Sequence, residues 1–567
     1  CYDICLKSKY FIAMKKIIYA VVLSTVIYTS GYYLWVASSP IRFKDESFQS
    51  GIASESVNAS GPTFIDYDND GDIDIYVVTE YHGEGQGNRL FENQGDRMFV
   101  DVAELRGVDN DNALGRGASW GDYDNDGDMD LAISNLPPTD RSTHIPTTLY
   151  KNLLKETGEP NFQNVTREAQ LFRKGNENDL DIGGIGNTGA GIAWADYDND
   201  GDLDLYWKCA DFDVENALFR NNGDGTFTDV TEETGTGVLE FVLEANSQGA
   251  PSWTDVNHDG YVDLLVTNEG DKKILFLNDQ EGSFKNITSS FRPPSGVVFL
   301  NPGNANGACI GDIDNDGDMD VFLPTSDQAN RLYISLLKDT GQLSYKDITL
   351  TSGVSNKSGA RGCAMGDFDN DGLIDIYVNN GGLADTLIND VIDIPIFVQF
   401  YIAIEPDVNK LFRNNGDLTF SDLAWRSRAS GYGVGSGVGT ADLDEDGFLD
   451  IFFTNRTFYT GGEQITKSDR NYLLFNRGNR NNWLTVNLVG EESNTNGYGA
   501  KVTLASDDLT QYREATSAHG YNSGNDPRMH FGLGKKSSVD FIEVIWPSGK
   551  KTKLVNPSIN QTVTIKE

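Results

Sequence analysis

The sequence predicts an all-β chain, a seven-bladed β-propeller followed by a smaller β-sandwich-like domain. Three observations lead there. A nine-residue phrase, Asp-x-Asp/Asn-x-Asp-Gly-x-x-Asp, returns seven times, beginning at Asp66, Asp122, Asp196, Asp255, Asp312, Asp367 and Asp442. Each copy runs straight into a short apolar stretch, and a second β-rich series with different punctuation follows residue 480. The starts lie 56, 74, 59, 57, 55 and 75 residues apart, too far for a helical solenoid unit and far enough for a blade of four short strands.

In the first copy the candidate ligands are Asp66, Asp68 and Asp70 at positions 1, 3 and 5, Asp72 at position 7 and Asp74 at position 9. The second offers Asp122, Asp124, Asp126, Asp128 and Asp130, and the third Asp196, Asp198, Asp200, Asp202 and Asp204. The fourth has Asp255, Asn257, Asp259, Tyr261 and Asp263, and the fifth Asp312, Asp314, Asp316, Asp318 and Asp320. Asp367, Asp369, Asp371, Leu373 and Asp375 form the sixth, and Asp442, Asp444, Asp446, Phe448 and Asp450 the seventh. Alternate positions on a tight turn bring hard oxygens around one point and position 9 closes the cage. Position 7 contributes its backbone carbonyl, so its side chain varies. Position 6 is glycine in every copy, as a sharp reversal with positive φ requires. An all-oxygen set without Cys or His, on a flexible loop, predicts calcium rather than zinc, a redox metal or magnesium, with up to seven ions, one per repeat. One Asp-Gly turn would read as an acidic turn and nothing more; seven in register do not.

An EF-hand begins alike but needs a bidentate Glu at position 12. Here that position is Val77, Ile133, Trp207, Val266, Leu323, Val378 and Phe453, all apolar. The stretches they belong to read as strands buried on both faces. Upstream, glycine stands five residues before the first Asp in six copies (Gly61, Gly117, Gly191, Gly307, Gly362, Gly437) and six before it in the fourth (Gly249). Inside a strand such a glycine marks close backbone approach, as at the crowded centre of a propeller. Trp120, Trp194 and Trp253, two residues before the first Asp, read as packing between blades. Downstream, phrases such as Leu90-Phe91-Glu92-Asn93 and Leu411-Phe412-Arg413-Asn414-Asn415-Gly416 predict hairpins, and 226–231 and 283–288 alternate like exposed outer strands.

On these residues the region 42–479 resembles the FG-GAP and VCBS repeats of seven-bladed propellers, the architecture of integrin α subunits, whose loops hold calcium. The series 482–488, 496–500, 511–514, 530–534 and 544–549 resembles the ASPIC/UnbV module, placed at 480–567. Together they resemble the cartilage acidic protein family and its bacterial relatives, which implies an extracellular, calcium-bearing interaction protein without a defined reaction. Where that family reads Gly-Tyr-x-Ser-Gln, this chain has Gly520-Tyr521-Asn522-Ser523-Gly524-Asn525.

Residues 1–41 read as a leader. Met14-Lys15-Lys16 precedes an uncharged stretch, 17–41, that carries the small residues Ala37-Ser38-Ser39 towards its end, the pattern of a signal peptide or an uncleaved signal anchor. Because the chain opens on Cys1, Met14 is the candidate natural start. Either form of leader implies export, to a secreted, periplasmic or cell-surface location, with membrane contact only through an N-terminal anchor. The formal net charge is −40, with more than a third of the 85 acidic residues inside the seven phrases. Seven calcium ions would leave about −26, a balance that excludes nucleic acid and anionic membrane as partners. Of the five cysteines, Cys1 and Cys5 precede Met14, while Cys209, Cys309 and Cys363 read as free thiols in different repeats.

The leading functional expectation is an exported scaffold with structural calcium that makes adhesion-like contact with an extracellular protein or glycan through one propeller face. Insertions on a rigid frame carry recognition, which points to 174–188 and 380–408. A propeller-based polysaccharide-active enzyme is one alternative. A structural part of an envelope or matrix assembly, docked by its C-terminal module, is another. No catalytic residue is assigned: the five histidines (His82, His144, His258, His519, His530) form no partner motif, and nucleophile elbow, phosphate loop and zinc signature are all missing. With dissociation constants of roughly 10⁻⁴ to 10⁻³ M, typical of extracellular modules, millimolar calcium adds about 0.4 to 1.4 kcal/mol per site. Over seven sites this is about 3 to 10 kcal/mol, comparable with the net stability of a domain. The melting temperature is therefore expected to drop sharply in excess chelator, and calorimetry giving identical curves would rule out structural calcium.

Overall fold

The computed structural model describes residues 36, 38–52, 58–79, 87–110, 113–136, 147–173, 189–209, 215–237, 249–268, 273–288, 303–381, 408–431, 433–456, 459–460, 463–464 and 470–567. Most of the leader, with Cys1 and Cys5, the insertions at 174–188 and 382–407, and His82 and His144 lie outside them. No helix among the described residues is long and apolar enough to cross a membrane.

Among the described residues, seven four-stranded antiparallel sheets form along the repeats, and the chain is a β-propeller. In the first, Ala59–Ile65 pairs with Asp74–Thr79, then Arg89–Asn93, then Phe99–Asp101. The acidic loop is the turn between the first two strands. Those two strands are buried along their whole length while the fourth buries only Phe99 and exposes Val100 and Asp101, so the apolar runs after each loop are core strands and the fourth strand is the rim. Neighbouring innermost strands pack in succession, and the last, Gly435–Ala441, returns against the first. Phe43–Asp45 closes the ring by adding the outer strand of the final sheet, pairing Phe43 with Asn476.

The tryptophans fill the joints between sheets. Trp120 meets Tyr76 edge-on with centroids 5.8 Å apart, Trp194 stacks on Tyr123 at 6.4 Å, and Trp253 meets Tyr206 at 6.1 Å. One sequence expectation is corrected: Cys309 and Cys363 form a disulfide, and among the described residues Cys209 is buried and outside any disulfide. The two sit 54 residues apart in sequence, but neighbouring innermost strands bring their Cα atoms to 6.1 Å, within bridging range.

The C-terminal domain has a three-stranded sheet, in which Asn482–Val489 lies between Met529–Gly534 and Thr562–Lys566, and a four-stranded sheet built around Lys501–Ser506 and Phe541–Ile545. It is not a separate appendage. One apolar cluster runs from Tyr123, Trp194 and Phe219 of the propeller into Leu484, Val486, Phe531, Val544 and Trp546. The segment 516–526 enters the middle of the ring: Gly520 N–H donates to Ala308 O (2.8 Å), Gly524 N–H to Pro62 O (3.0 Å) and Asp526 N–H to Thr440 O (2.9 Å). Ser517 Oγ donates to Trp194 O at 2.6 Å.

The plug and the neighbouring innermost strands together account for the upstream glycines: Gly362 faces Ser436 O and Gly249 faces Thr267 O, while others face the plug. A Cβ on Gly61 would lie 1.9 Å from the Asn522 carbonyl oxygen, and one on Gly307 would lie 2.4 Å from the Gly520 carbonyl carbon. Backbone faces backbone there, so neither side can yield by turning a side chain. Gly61→Ala is expected to destabilise the protein by about 1 to 3 kcal/mol, the range for overpacking, as measured by denaturant unfolding. An unchanged midpoint would show that the plug does not seat as described.

Candidate metal centres

The seven acidic loops share one backbone. Position-6 glycines have positive φ throughout, +102° at Gly71 and +86° at Gly447, and the position-4 residues also take positive φ, between 55° and 60°: Asn69, Asn125, Asn199, His258, Asn315, Asn370 and Glu445. Asparagine tolerates this conformation better than most residues. The position-1 carboxylate folds the turn onto itself. Asp66 Oδ1 accepts from Asp70 N–H (3.0 Å) and Oδ2 from Gly71 N–H (3.1 Å), and the same pair recurs at Asp122, Asp196, Asp255, Asp312 and Asp367.

Position 9 anchors the loop to its sheet. Asp74 takes N–H bonds from Asn93 (2.8 Å) and Tyr67 (3.4 Å); Asp130, Asp204, Asp263, Asp320, Asp375 and Asp450 do likewise. The third-strand asparagine that donates has a second role, which the sequence reading missed by treating it as a hairpin residue. Its carboxamide reaches the preceding sheet: Asn93 Nδ2 donates to Leu443 O (3.0 Å), Asn152 to Tyr67 O (2.9 Å), Asn221 to Tyr123 O (2.7 Å), Asn278 to Tyr197 O (2.7 Å), Asn414 to Ile313 O (2.9 Å) and Asn476 to Phe368 O (2.9 Å). Ser335 occupies the fifth position. The recurrence of Asn at the end of that strand was the available signal. Adjacent loops are linked as well, since Asn69, Asn125, Asn199, Asn315 and Asn370 donate to the position-6 carbonyl of the next loop at 2.8 to 3.3 Å.

Carboxylate oxygens converge within 4.8 Å of one another in Asp66, Asp68 and Asp70; in Asp122, Asp124 and Asp130; in Asp196, Asp198 and Asp204; and in Asp312, Asp314 and Asp316. Position 7 does not act as one set. Asp128 and Asp318 accept N–H bonds from Lys155 and Lys338, Asp202 accepts from Asn125, and Leu373 and Phe448 can offer only a carbonyl oxygen. The residues fit a hard cation by one specific feature. Position-3 oxygens Asp124 Oδ1, Asp198 Oδ1, Asp369 Oδ1 and Asp444 Oδ1 are buried without any hydrogen-bond donor, a state costing about 1 to 3 kcal/mol or more per group unless a cation or water takes it up. The oxygen beside each of three is occupied: Lys151 pairs with Asp124, Arg413 with Asp369 (2.7 Å) and Arg97 with Asp444 (2.6 Å).

Above the loops sits the C-terminal domain. Asn496 Oδ1 accepts from Asp122 N–H (2.9 Å), Glu514 Oε1 from Asp255 N–H (3.0 Å), and His530 Nε2 lies 2.7 Å from Asn370 Oδ1. Burial, with Arg513 and Arg528 nearby, lowers His530 to about 3, so it is a neutral hydrogen-bonding residue.

The fold and its acidic turns define a β-propeller of the FG-GAP class with a C-terminal domain seated on its loop-bearing end. The FG-GAP-like repeat pattern matches residues 66–133, 209–266, 255–323 and 312–378, and the ASPIC and UnbV pattern matches 490–567. The chain carries FG-GAP-like repeats and an ASPIC/UnbV domain, and it is similar to cartilage acidic protein 1. It is 24% identical to that protein from Xenopus tropicalis over 521 residues, covering 86% of this chain and 70% of that one. Against the Homo sapiens protein it is 25% identical over 530 residues, covering 86% and 69%.

Burial, reinforced by neighbouring carboxylates, raises Asp68 to about 6, Asp122, Asp196 and Asp312 to about 7, Asp263 and Asp442 to about 8 and Asp74 to about 9. It holds Asp130, Asp204, Asp320, Asp367, Asp375 and Asp450 well above the ordinary 3.8. A raised folded-state value stabilises fully below the unfolded value, and the contribution is lost as pH climbs through the folded one. Metal-free protein is accordingly expected to lose melting temperature from about pH 4, near the ordinary carboxylate value, to about pH 9, while the increment on adding calcium grows over that span. Melting curves with and without calcium test this; an increment independent of pH would mean the loops are not the binding groups.

Proposed function

We propose that this protein is an exported binding scaffold whose acidic loops hold calcium structurally and whose contacts with an extracellular protein or glycan are made away from those loops. The observation that carries the calcium reading is the set of buried position-3 oxygens without donors, each beside other carboxylates on one turn. All-oxygen donors in a pliable turn suit calcium, and FG-GAP repeats commonly bind it. In this role the ions neutralise the loops and stiffen the ring. The Cys309–Cys363 disulfide supports export, since such bonds persist in oxidising compartments, and the likeness to cartilage acidic protein 1 supports an extracellular matrix setting.

The seated C-terminal domain argues for where partners bind. With the C-terminal domain seated on much of the loop-bearing end, contacts with partners fall to the opposite end and to the rim. At the opposite end, the strands flanking the largest insertion, Asp375–Asn380 and Lys410–Asn414, finish and begin. This placement argues for binding at the propeller rather than docking through the isolated C-terminal module.

Probing glycan and surface-protein arrays with the whole chain, in calcium and in chelator, tests the proposal. Calcium-dependent capture is expected, reduced at least tenfold when residues 383–406 are replaced by a short linker while the melting temperature is kept. Full binding by that variant would refute the placement, and turnover of a polysaccharide substrate would replace scaffolding with catalysis.

A further inference from the structure

The fourth acidic loop is filled differently from the rest. With Asn257 at position 3 and Tyr261 at position 7, it keeps three carboxylates, Asp255, Asp259 and Asp263, where the other loops have four or five. Each oxygen of those three already has a donor from the protein. Asp255 Oδ1 accepts from Asp259 N–H (3.1 Å), and its Oδ2 accepts from Gly260 N–H (2.8 Å) and from the Lys501 ammonium. Asp259 Oδ1 accepts from Tyr261 N–H (3.0 Å), and its Oδ2 from the carboxamides of Asn257 (2.9 Å) and Gln280 (3.0 Å). Asp263 accepts from Asn278 N–H (2.8 Å) and Val256 N–H (3.0 Å). Loops two, three, six and seven each retain a buried carboxylate oxygen with no donor; the fourth retains none, as do the first and fifth, but it alone has so few carboxylates and a cation from the C-terminal domain on position 1.

The cation comes from the other domain. Lys501 opens the strand Lys501–Ser506 and is the cross-strand partner of Glu514. Glu514 accepts from Asp255 N–H (3.0 Å) and from the Thr254 hydroxyl (2.6 Å). The C-terminal domain therefore grips one position-1 aspartate on both sides, its carboxylate through Lys501 and its amide through Glu514. Asp255 is 1% exposed, so breaking that pair would leave a buried charge uncompensated, the costly way to disrupt an ion pair. Elsewhere the arrangement differs: Lys151, Arg413 and Arg97 come from the propeller, pair with position 3, and leave its other oxygen donorless.

We propose that Lys501 is the resident cation of the fourth loop, so that in the docked chain this loop is closed to calcium and works as the latch of the C-terminal domain. A calcium ion there would have to expel the ammonium and two carboxamide donors with fewer carboxylates in return, and calcium affinity follows the number of charged ligands. The inference rests on the calcium reading of the remaining loops.

Calcium stoichiometry and affinity, measured by isothermal titration on the full chain and on Lys501→Met, test it. The variant is expected to bind one calcium more per chain than the wild type. It should also melt lower than wild type without calcium and recover more of that loss when calcium is added, because the ion replaces the missing ammonium. Lys501→Gln, which keeps a donor for Asp255 without the charge, repeats the measurement if the methionine variant does not fold. Lys501→Arg keeps the cation and should keep the wild-type count. Calcium bound in equal number by wild type and the uncharged variants overturns the inference and leaves the calcium reading standing. No calcium bound by any of them overturns both.

Discussion

Concentrated negative charge is the constraint around which this molecule is organised. Three carboxylates within 4.8 Å of one another repel by about 3 kcal/mol per pair at the effective dielectric of a protein surface. Repeated around a ring, that exceeds the net stability of an ordinary domain. The chain meets it in three ways: backbone N–H groups on positions 1 and 9, lysine or arginine on loops two, four, six and seven, and burial that favours the protonated form; the donorless oxygens are where a divalent ion would add a fourth.

The same residues that manage the charge also hold the ring together. A position-9 aspartate receives an amide from the third strand, and the asparagine supplying that amide fastens its carboxamide to the preceding sheet. Position-4 asparagines then join each loop to the next. Loop geometry and ring geometry are thus one mechanical system, so an ion bound in one turn bears on the joint beside it. Sheet five, with Ser335 in place of asparagine, lacks the carboxamide clasp, and the disulfide to sheet six lies on its innermost strand.

Covering the loop end with a second domain follows from the same logic. The C-terminal domain supplies hydrogen-bond acceptors to loop amides, cations to loop carboxylates and a plug, 516–526, to the centre lined by glycines. Its apolar core is continuous with that of the second and third sheets. It completes the propeller.

Much of this was written in the chain itself. A phrase with fixed glycine, alternating carboxylates and an apolar sequel is enough to specify the turn, the strand after it and the repeat, because each depends on neighbours within about ten residues. The inter-sheet tryptophans and the glycine-lined centre were legible for the same reason. What tertiary structure alone decided involves residues far apart in sequence: the pairing of Cys309 with Cys363, the carboxamide clasps, the seating of 516–526 in the ring, and the reach of Lys501 to Asp255 across 246 positions. Local pattern records which groups a turn offers; only closure of the ring and docking of the last domain fix which distant group answers them.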